Sequence, residues 1–542
     1  MTDNASPIRL DAVIIGAGFA GLYQLHRLRD ELGLEARVLE AGGGVGGTWY
    51  WNRYPGARCD SESHSYMYYF SKELVQEWEW SERYPGQAEI LRYLNHVADR
   101  LDLRRDIRLD SRVTEAHYSD AENRWHVRTE GGEHFVARYL ITAVGCLSVA
   151  NIPKIDGLED FRGKWYHTGQ WPHEGVDFSG KRVGVIGTGS TGIQAIPVIA
   201  AQAAHLTVFQ RTANYSIPAR NAPLSAEEKA TLKARADEFR HIMNHNTNGH
   251  PFWIADRSAR ACPPQERQAL YEAAWDKGGL LFRATFKDLL VDKEANDTAA
   301  EFIKGKIRAI VKDPEKARIL SDIDHPFASK RPPVDSNYFE TFNRDNVSLV
   351  DLRATPIERI TPAGIRTRGV EHELDIIVFA TGFDALTGSL MKMDIQGREG
   401  RSLRQCWSAG PRTFLGLQIP GFPNLFTITG PGSPSVLCNL PPHIEQNVGW
   451  ITDCIRHLEA GGIDRIEATE AASDAWQREV DAAARATLLY DVPHSWYLGA
   501  NVPGKPRVFM PYAGGFARYQ EFCEAAVRDG YPGFTLGQPQ PA

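Results

Sequence analysis

The chain has 542 residues, with 61 Lys or Arg, 68 Asp or Glu and a formal net charge of −7. This length exceeds what one hydrophobic core supports and predicts several domains, while an ordinary apolar fraction of 42% argues against disorder. The charge is mild and without long runs of one sign, which disfavours nucleic acid as a partner.

The N-terminus reaches a short apolar run only after two acidic residues, and that run breaks at Gly16. It is too short for a secretory signal. No later stretch approaches the ~18 apolar residues of a membrane span. We therefore predict a cytoplasmic protein without a membrane partner.

Residues 10–41, LDAVIIGAGFAGLYQLHRLRDELGLEARVLEA, predict a βαβ unit with a GxGxxG turn. Gly16, Gly18 and Gly21 would permit the tight turn, the approach of a pyrophosphate and close helix packing. Glu40 ends the second strand, where a carboxylate accepts hydrogen bonds from a free ribose diol. The unit is predicted to bind FAD or NAD; the alternative for Glu40 is a solvated strand end.

The loop after this unit is rich in glycine and aromatic residues, including Gly47, Trp49, Trp51 and Tyr54. We expect its aromatic rings to pack around the edge of a bound cofactor or to form a small core cluster. Residues 138–148, RYLITAVGCLS, then predict an apolar strand that closes on glycine.

Residues 161–174, FRGKWYHTGQWPHE, are predicted as a connector, yet they are unusually rich in large and rigid residues. Connectors are usually small, polar and variable. The unusual positions are Phe161, Gly163, His167, Trp171 and Pro172. Their composition indicates a specific role.

Residues 181–212, KRVGVIGTGSTGIQAIPVIAAQAAHLTVFQRT, repeat the βαβ pattern with Gly187, Gly189 and Gly192. Arg211 stands at the offset that Glu40 occupies in the first unit. Because a guanidinium there suits a 2′-phosphate, this second unit is predicted to bind NADP. A solvated arginine is the alternative.

Residues 221–330 predict a helical insertion that opens with a capping box at Ser225 and Glu228. Further apolar strands ending on glycine are predicted within 374–384 and 424–435.

The predicted fold class is α/β, with two Rossmann-like dinucleotide-binding domains of doubly wound, mainly parallel sheets and a helical insertion. If the second unit interrupts the first, the FAD-binding domain is discontinuous. Its predicted ranges are 1–150 and 385–542; those of the NADP-binding domain are 151–220 and 331–384, and the insertion is 221–330.

A flavin and NADPH on one chain imply hydride transfer to the flavin and onward transfer of electrons. The seven cysteines are scattered, with neither a CxxC pair nor a zinc spacing, so neither a redox disulfide nor a metal site is predicted. Oxygen is the simplest remaining acceptor.

The connector matches FxGxxxHxxxWP, which resembles the fingerprint of the Baeyer-Villiger monooxygenases. These flavoenzymes convert ketones to esters or lactones. The likeness runs from about residue 10 to 535, and further similar stretches are GGTWYWNRYPGARCD (46–60), FQRT (209–212), FATGFDALTG (379–388) and SWYLGANVPGK (495–505).

The resemblance implies roles at several positions. Arg331 would stabilise a C4a-peroxyflavin anion and the addition to the ketone, oriented by Asp60. Asp60 is otherwise a turn residue, and Arg58 could compete for it. Lys330 and Thr212 would join Arg211 at the 2′-phosphate, with a solvated lysine as the alternative.

Other implied roles are less direct. Trp496 would reach the nicotinamide ribose and substrate, or simply pack. His167 would couple domain motion to NADP binding rather than act as a base, with the neighbouring fingerprint residues anchoring the connector. Ser435, Val436 and Leu437 would line the substrate pocket, and Pro333 and Pro511 depart from the family pattern near the site.

The predicted protein is thus an FAD- and NADPH-dependent Baeyer-Villiger monooxygenase that acts on a small ketone and O2 without an obligatory protein partner. Secondary sulfoxidation is allowed. The alternatives are a flavin-containing monooxygenase that oxidises nitrogen or sulfur and a non-catalytic dinucleotide sensor.

Overall fold

The computed structural model describes residues 6–537. Residues 1–5 and 538–542, at the ends of the first predicted domain, lie outside the described part. Among the described residues, no helix combines the length and apolarity needed to cross a membrane.

The strands follow one another along the chain with the bounds β1 Ile8–Ile15, β2 Ala36–Leu39, β3 Ile107–Arg108, β4 Val113–Ser119, β5 Arg124–Thr129, β6 His134–Thr142, β7 Lys164–His167, β8 Arg182–Ile186, β9 His205–Gln210, β10 Ile217–Pro218, β11 Val334–Asp335, β12 Val347–Asp351, β13 Ile357–Thr361, β14 Gly364–Thr367, β15 Val370–Glu373, β16 Ile376–Phe379, β17 Asp394–Gln396, β18 Leu425–Thr427, β19 Arg465–Ala468 and β20 Phe534–Gly537.

The α-helices have the bounds α1 Phe19–His26, α2 Thr48–Trp51, α3 Lys72–Glu77, α4 Gln87–Arg100, α5 Ser190–Gln202, α6 Ala226–Ala234, α7 Ala236–His245, α8 Pro264–Lys277, α9 Lys293–Ile310, α10 Pro314–Ser321, α11 Tyr338–Thr341, α12 Gly388–Lys392, α13 Leu403–Cys406, α14 Leu440–Gly461, α15 Glu470–Arg485 and α16 Phe516–Arg528.

The first large sheet has the order β17-β4-β5-β6-β1-β2-β3, and β18 also pairs with β6. Strands β1, β2, β3 and β6 run parallel, as the βαβ pattern predicts. The antiparallel pairs β4-β5 and β5-β6 were not predicted. Late strands β17 and β18 return to this sheet, so its core is completed by distant parts of the chain.

The second sheet has the order β12-β9-β8-β16-β7, and all of its pairs are parallel. The turns after β1 and β8 therefore each lie where a parallel strand opens into a helix, at the edge that binds ligands in such sheets. The predicted α/β class with mainly parallel sheets is confirmed.

The predicted helical insertion is divided between two hydrophobic cores. Phe239 and Met243 of α7 pack in the core of the first sheet, whereas Trp275 of α8 and Ile303 of α9 pack in the core of the second. The capping box at Ser225 is confirmed. The helical pattern breaks at Arg235, which separates α6 from α7.

Candidate active site

The first glycine-rich turn leaves no room for a side chain at its first and third glycines. Gly16 has φ +105°, and a Cβ there would lie 2.6 Å from the carbonyl oxygen of Ala143. A Cβ at Gly21 would lie 1.8 Å from the carbonyl oxygen of Gly16. Helix α1 follows Gly18 without a side-chain cap, so its first amides are available to an anion.

Glu40 closes this turn from the end of β2. Its Oε2 accepts a hydrogen bond from Ala17 N at 2.7 Å, and its Oε1 accepts one from Gly42 N at 2.8 Å. Burial raises the pKa of the Glu40 carboxyl, and the two backbone amides oppose that rise. Each oxygen keeps a lone pair that could accept from a ribose hydroxyl.

The aromatic loop lies against the same turn but does not form one cluster. Gly47 has φ +53°, and a Cβ there would lie 2.8 Å from the Cα of Gly18. Trp49 is buried and donates from Nε1 to the hydroxyl of Tyr66 at 3.3 Å. Trp51 instead packs edge-on against Tyr50, with ring centroids 5.2 Å apart.

The second glycine-rich turn repeats this geometry. Gly187 has φ +110°, and a Cβ there would lie 2.5 Å from the carbonyl oxygen of Ala380. A Cβ at Gly192 would lie 2.2 Å from the carbonyl oxygen of Gly187. Gly189 faces open space and precedes α5 without a side-chain cap. Both turns therefore fit a pyrophosphate.

Arg211 and Lys330 come together beside the second turn. Burial lowers the pKa of Lys330, Asp324 opposes that shift and the charge of Arg211 adds to it. The carbonyl oxygen of Thr212 accepts from Thr188 Oγ1 at 2.9 Å, while the Thr212 hydroxyl has no hydrogen bond within the described chain. The two cations with this free hydroxyl suit a phosphate.

Arg331 and Asp60 form a loose, partly buried pair, with Nε 3.9 Å from Oδ2. Burial raises the pKa of the Asp60 carboxyl, and Arg331 opposes that rise. For Arg331, burial is the largest single influence and lowers the pKa, but Asp60, Cys59, Tyr497 and Tyr66 together outweigh it, so the pKa lies above its usual value. The long separation leaves most guanidinium N–H groups available to another anion.

Arg58 forms no ion pair with Asp60 within residues 6–537, although its charge also opposes the rise in the Asp60 pKa. Its Nη1 donates to the carbonyl oxygen of Tyr84 at 3.3 Å and lies 3.9 Å from Glu82. The loop after Arg331 is fixed by Val334 N, which donates to Asp60 Oδ1 at 3.2 Å, and by Ile217 N, which donates to the carbonyl oxygen of Pro333 at 3.1 Å.

Gln194 is a site residue that the sequence analysis missed. It lies in α5, two residues after Gly192, and its Nε2 donates to the carbonyl oxygen of Arg58 at 3.1 Å and to Asp60 Oδ1 at 3.4 Å. Its Oε1 accepts from Tyr54 OH at 2.8 Å. The helix of the second turn thus holds the segment that carries Asp60, and the only sequence signal was a polar residue in an apolar helix.

The predicted substrate residues lie beside the Arg331–Asp60 pair in one apolar cluster. Val436, Leu437 and Trp496 pack with Cys146 and Tyr497. Burial raises the pKa of Tyr497 to about 12, and the charge of Arg331 opposes that rise, so the phenol borders the guanidinium. Ser435 is fully buried and has φ +37°, a strained conformation outside glycine.

The segment 161–174 is more than a connector, because its residues 164–167 form edge strand β7 of the second sheet. A Cβ at Gly163 would lie 2.4 Å from the carbonyl oxygen of Asp375. Phe161 and Trp171 are buried in the cores on this sheet, and Pro172 accepts through its carbonyl oxygen from Gly175 N at 3.2 Å. This strand is not predicted from the sequence, because it is short and follows a glycine.

His167 ends that strand and is 1% exposed. Its Nδ1 accepts from Gly169 N at 3.0 Å, and burial lowers its pKa to about 4. The ring is therefore neutral near pH 7. It packs edge-on against Phe383 at 6.1 Å, and its hydrogen bond and ring contact do not involve Arg331.

Within residues 6–537, no group of three or more His, Cys, Asp or Glu is placed to hold a metal ion. All seven cysteines are free thiols.

Comparisons with known proteins agree with this geometry. Residues 13–248 match the model of the pyridine nucleotide-disulphide oxidoreductase family. A "Baeyer-Villiger monooxygenase" from Pseudooceanicola batsensis is 47% identical over 96% of this chain and 95% of its own length. An "acetone monooxygenase (methyl acetate-forming)" from Gordonia sp. is 45% identical over 98% of this chain and 100% of its own. A solved steroid monooxygenase bound to NADP has 54% identity and a TM-score of 0.93, covering 98% of this chain and 100% of that one.

Proposed function

The chain belongs to the Baeyer-Villiger monooxygenases, and from this membership we propose which of its residues hold the cofactors and which serve the reaction. The enzyme uses FAD, NADPH and O2 to oxidise a ketone. Ketone, O2, NADPH and one proton give the ester or lactone, NADP+ and water. The chemistry that FAD would supply when bound is acceptance of the hydride from NADPH and activation of oxygen.

We assign FAD to the domain formed by 1–150 and 385–542. Gly16, Gly18 and Gly21 would cradle its pyrophosphate, with Glu40 on the adenosine ribose and Gly47 and Trp49 around the remainder. The support is the side-chain-free turn at the start of α1 and the return of β17 and β18 to the first sheet.

We assign NADPH to the domain formed by 151–220 and 331–384, into which 221–330 is inserted. Gly187, Gly189 and Gly192 would hold its pyrophosphate. The positive charge of Arg211 and Lys330, with the Thr212 hydroxyl, would bind the 2′-phosphate. Trp496 would cover the nicotinamide end from the apolar cluster.

The observation that carries the catalytic assignment is the partly buried Arg331–Asp60 pair at the border of an apolar cluster. Arg331 would stabilise the negative charge that develops on oxygen as the ketone carbonyl is attacked, and Asp60 would hold it in place. Ser435, Val436 and Leu437 would shape the pocket and exclude water. His167 would couple the position of the second sheet to NADP binding rather than transfer a proton.

Because both nucleotide turns lie on one chain, we propose that no separate reductase is needed. The cytoplasm suits this enzyme, since it supplies NADPH and keeps free thiols reduced.

The test supplies the purified, FAD-loaded protein with NADPH, air and either cyclohexanone, phenylacetone or thioanisole, and identifies the products. We expect an ester or lactone formed with equal consumption of NADPH and O2. Sulfoxide without ester would favour a heteroatom monooxygenase, and NADPH binding without oxygen consumption would favour a sensor.

A further inference from the structure

Two histidines lie one helical turn apart at the end of α7. His241 and His245 are both exposed, and their ring centroids are 4.3 Å apart with the ring planes tilted by 31°. Residues four apart lie on the same face of a helix. The other face of α7 is buried through Phe239, Ile242 and Met243, so the helix presents both imidazoles to solvent.

The hydrogen bond of His245 leaves one ring nitrogen available to a metal ion. Its Nδ1 lies 2.7 Å from the carbonyl oxygen of His241. Because a carbonyl oxygen can only accept, Nδ1 is the donor, and the lone pair of the neutral ring is on Nε2. Histidine ligands of metals commonly use their second nitrogen in this way, which fixes the tautomer and the orientation of the ring. His245 is therefore arranged as an Nε2 ligand.

The two rings are close enough to share one ion. Imidazole nitrogens bind Zn2+ at about 2.0–2.1 Å, so two of them on the same ion lie about 3 Å apart. Small rotations of two exposed side chains reach this separation from the observed spacing of the rings. The pair also lies in the last turns of α7, where the helix dipole favours a cation.

The backbone that carries the pair is held by the rest of the protein. Just after α7, the carbonyl oxygen of Asn246 accepts from Ala517 N at 3.1 Å. The carbonyl oxygen of Thr247 accepts from Phe516 N at 2.9 Å. Asn246 Oδ1 also accepts from Gly249 N at 2.7 Å. Since this end of the helix is already ordered, binding an ion has to order only two side chains.

We propose that His241 and His245 together bind one divalent transition-metal ion, such as Ni2+ or Zn2+. Imidazole suits both ions. Water would complete the coordination, which distinguishes the site from a centre of three or more protein ligands, a group that residues 6–537 do not form. The inference does not depend on the proposed function, because neither histidine belongs to the candidate active site. The ion would join the last two turns of α7 and stabilise the folded chain.

The experiment titrates Ni2+ into the FAD-loaded enzyme by calorimetry, with the protein free of a histidine tag and stripped of metal by a chelator. We expect one site per chain. Its affinity should fall at least about tenfold in His241→Gln and also in His245→Gln, because either change leaves a single imidazole. The double variant should lose little more than either single one. His457→Gln removes an exposed histidine of α14 and is the matched control.

Unchanged Ni2+ binding in both single variants would overturn the proposal, because the ion would then be bound elsewhere. So would losses that add up in the double variant, since two imidazoles acting separately behave in this way. An equal loss in His457→Gln would also contradict it. FAD content and the melting temperature without metal establish that each variant is folded.

Thermal unfolding with Zn2+ gives a second measurement. Saturating Zn2+ should raise the melting temperature of the wild-type enzyme by about 1–3 °C and leave that of the double variant unchanged. An equal rise in both proteins would contradict the site. Oxidation of a ketone is measured separately, so failure of the metal site and failure of the proposed function are distinguishable.

Discussion

At the scale of single residues, charge and burial act together at each predicted site. Arg331 is a permanently charged, partly buried guanidinium, and the Asp60 beside it is itself held by Gln194 and the amide of Val334. A fixed, partly desolvated cation stabilises negative charge far better than a solvated one. The proposed chemistry depends on this arrangement.

In the proposed function, Arg211 sets the preference for NADPH over NADH. We expect Arg211→Ala to raise KM for NADPH about tenfold and to change KM for NADH little, because the lost contact is to the 2′-phosphate alone. Initial rates with both nucleotides check this. Arg368→Ala removes an exposed arginine elsewhere in the chain and serves as the control. An equal loss with both nucleotides would contradict the assignment.

Glu445 should make stability depend on pH. Its Oε1 accepts from the backbone amides of Tyr69 and Phe70, and burial raises its pKa from 4.5 to about 7. Between these values the folded protein keeps a proton that the unfolded chain has lost, so the free energy of unfolding falls as pH rises through this window.

Glu445→Gln keeps an acceptor for both amides but cannot ionise. From pH 5 to 8, wild-type stability should fall more than that of the variant, by on the order of 1–3 kcal/mol. Denaturant unfolding at both pH values measures the difference. Parallel pH dependence in the two proteins would show that Glu445 does not titrate in this range.

Several residue roles could be inferred from the sequence, but not all of the contacts between these side chains could. The types and offsets of Glu40 and Arg211 predicted opposite ribose chemistries, because each stands at the end of a recognisable strand. The resemblance implied that Asp60 orients Arg331, whereas the residues alone left Arg58 as a competitor. Gln194 carried only the weak signal of a polar residue in an apolar helix, since its significance lies in neighbours distant along the chain.

At the scale of elements, the two glycine-rich turns have the same geometry. In each, the third glycine brings the helix against the carbonyl oxygen of the first. The helix can then present unpaired amides to a phosphate. Such a turn would bind phosphate through backbone amides and requires glycine at fixed positions, which explains why its sequence pattern can be recognised.

The second turn can be tested without disturbing the first. A Cβ at Gly192 would lie 2.2 Å from the carbonyl oxygen of Gly187, so Gly192→Ala should raise KM for NADPH at least about tenfold while FAD remains bound. Flavin absorbance and steady-state rates measure both effects. Loss of FAD with normal NADPH use would contradict the assignment of the two turns.

Gly305→Ala is the matched control, because nothing lies within 4 Å of a Cβ placed there. In the interior of α9 it should stabilise the protein by roughly 0.5–1 kcal/mol.

Regular elements with strong periodicity were predicted well, and irregular ones were not. Strands β1, β8 and β16 followed from buried apolar runs that end on glycine. Strand β7 was not predicted, because four residues after a glycine are too few to show an alternation of apolar and polar residues. The break between α6 and α7 at Arg235 was not predicted, because the helical spacing of apolar residues continues across it. In both cases tertiary packing decided the outcome.

At the scale of the whole molecule, two mainly parallel sheets share the candidate site. The Asp60 segment precedes the second unit in the chain, yet it is held by α5 of that unit. The insertion packs on both cores, and the carbonyl oxygen of its Asn248 accepts from Asn439 N, two residues beyond the predicted pocket residue Leu437. Such contacts between distant segments could not be read from a single sequence.

Gln194 should couple the second unit to the oxidation. Gln194→Ala removes the hydrogen bonds to Tyr54, Arg58 and Asp60, so Arg331 is held less firmly. We expect the yield of ester per NADPH to fall severalfold as hydrogen peroxide rises. Gln202→Ala, an exposed residue of the same helix, is the control. An unchanged yield would contradict the coupling.

The most direct test of the central claim removes the guanidinium at 331. Arg331→Met is reduced anaerobically with NADPH, then mixed with oxygen and a ketone, and the ester and hydrogen peroxide are quantified. We predict that NADPH still reduces the flavin while ester formation falls at least about 100-fold and hydrogen peroxide takes its place. Ester formed at the wild-type rate would contradict the account.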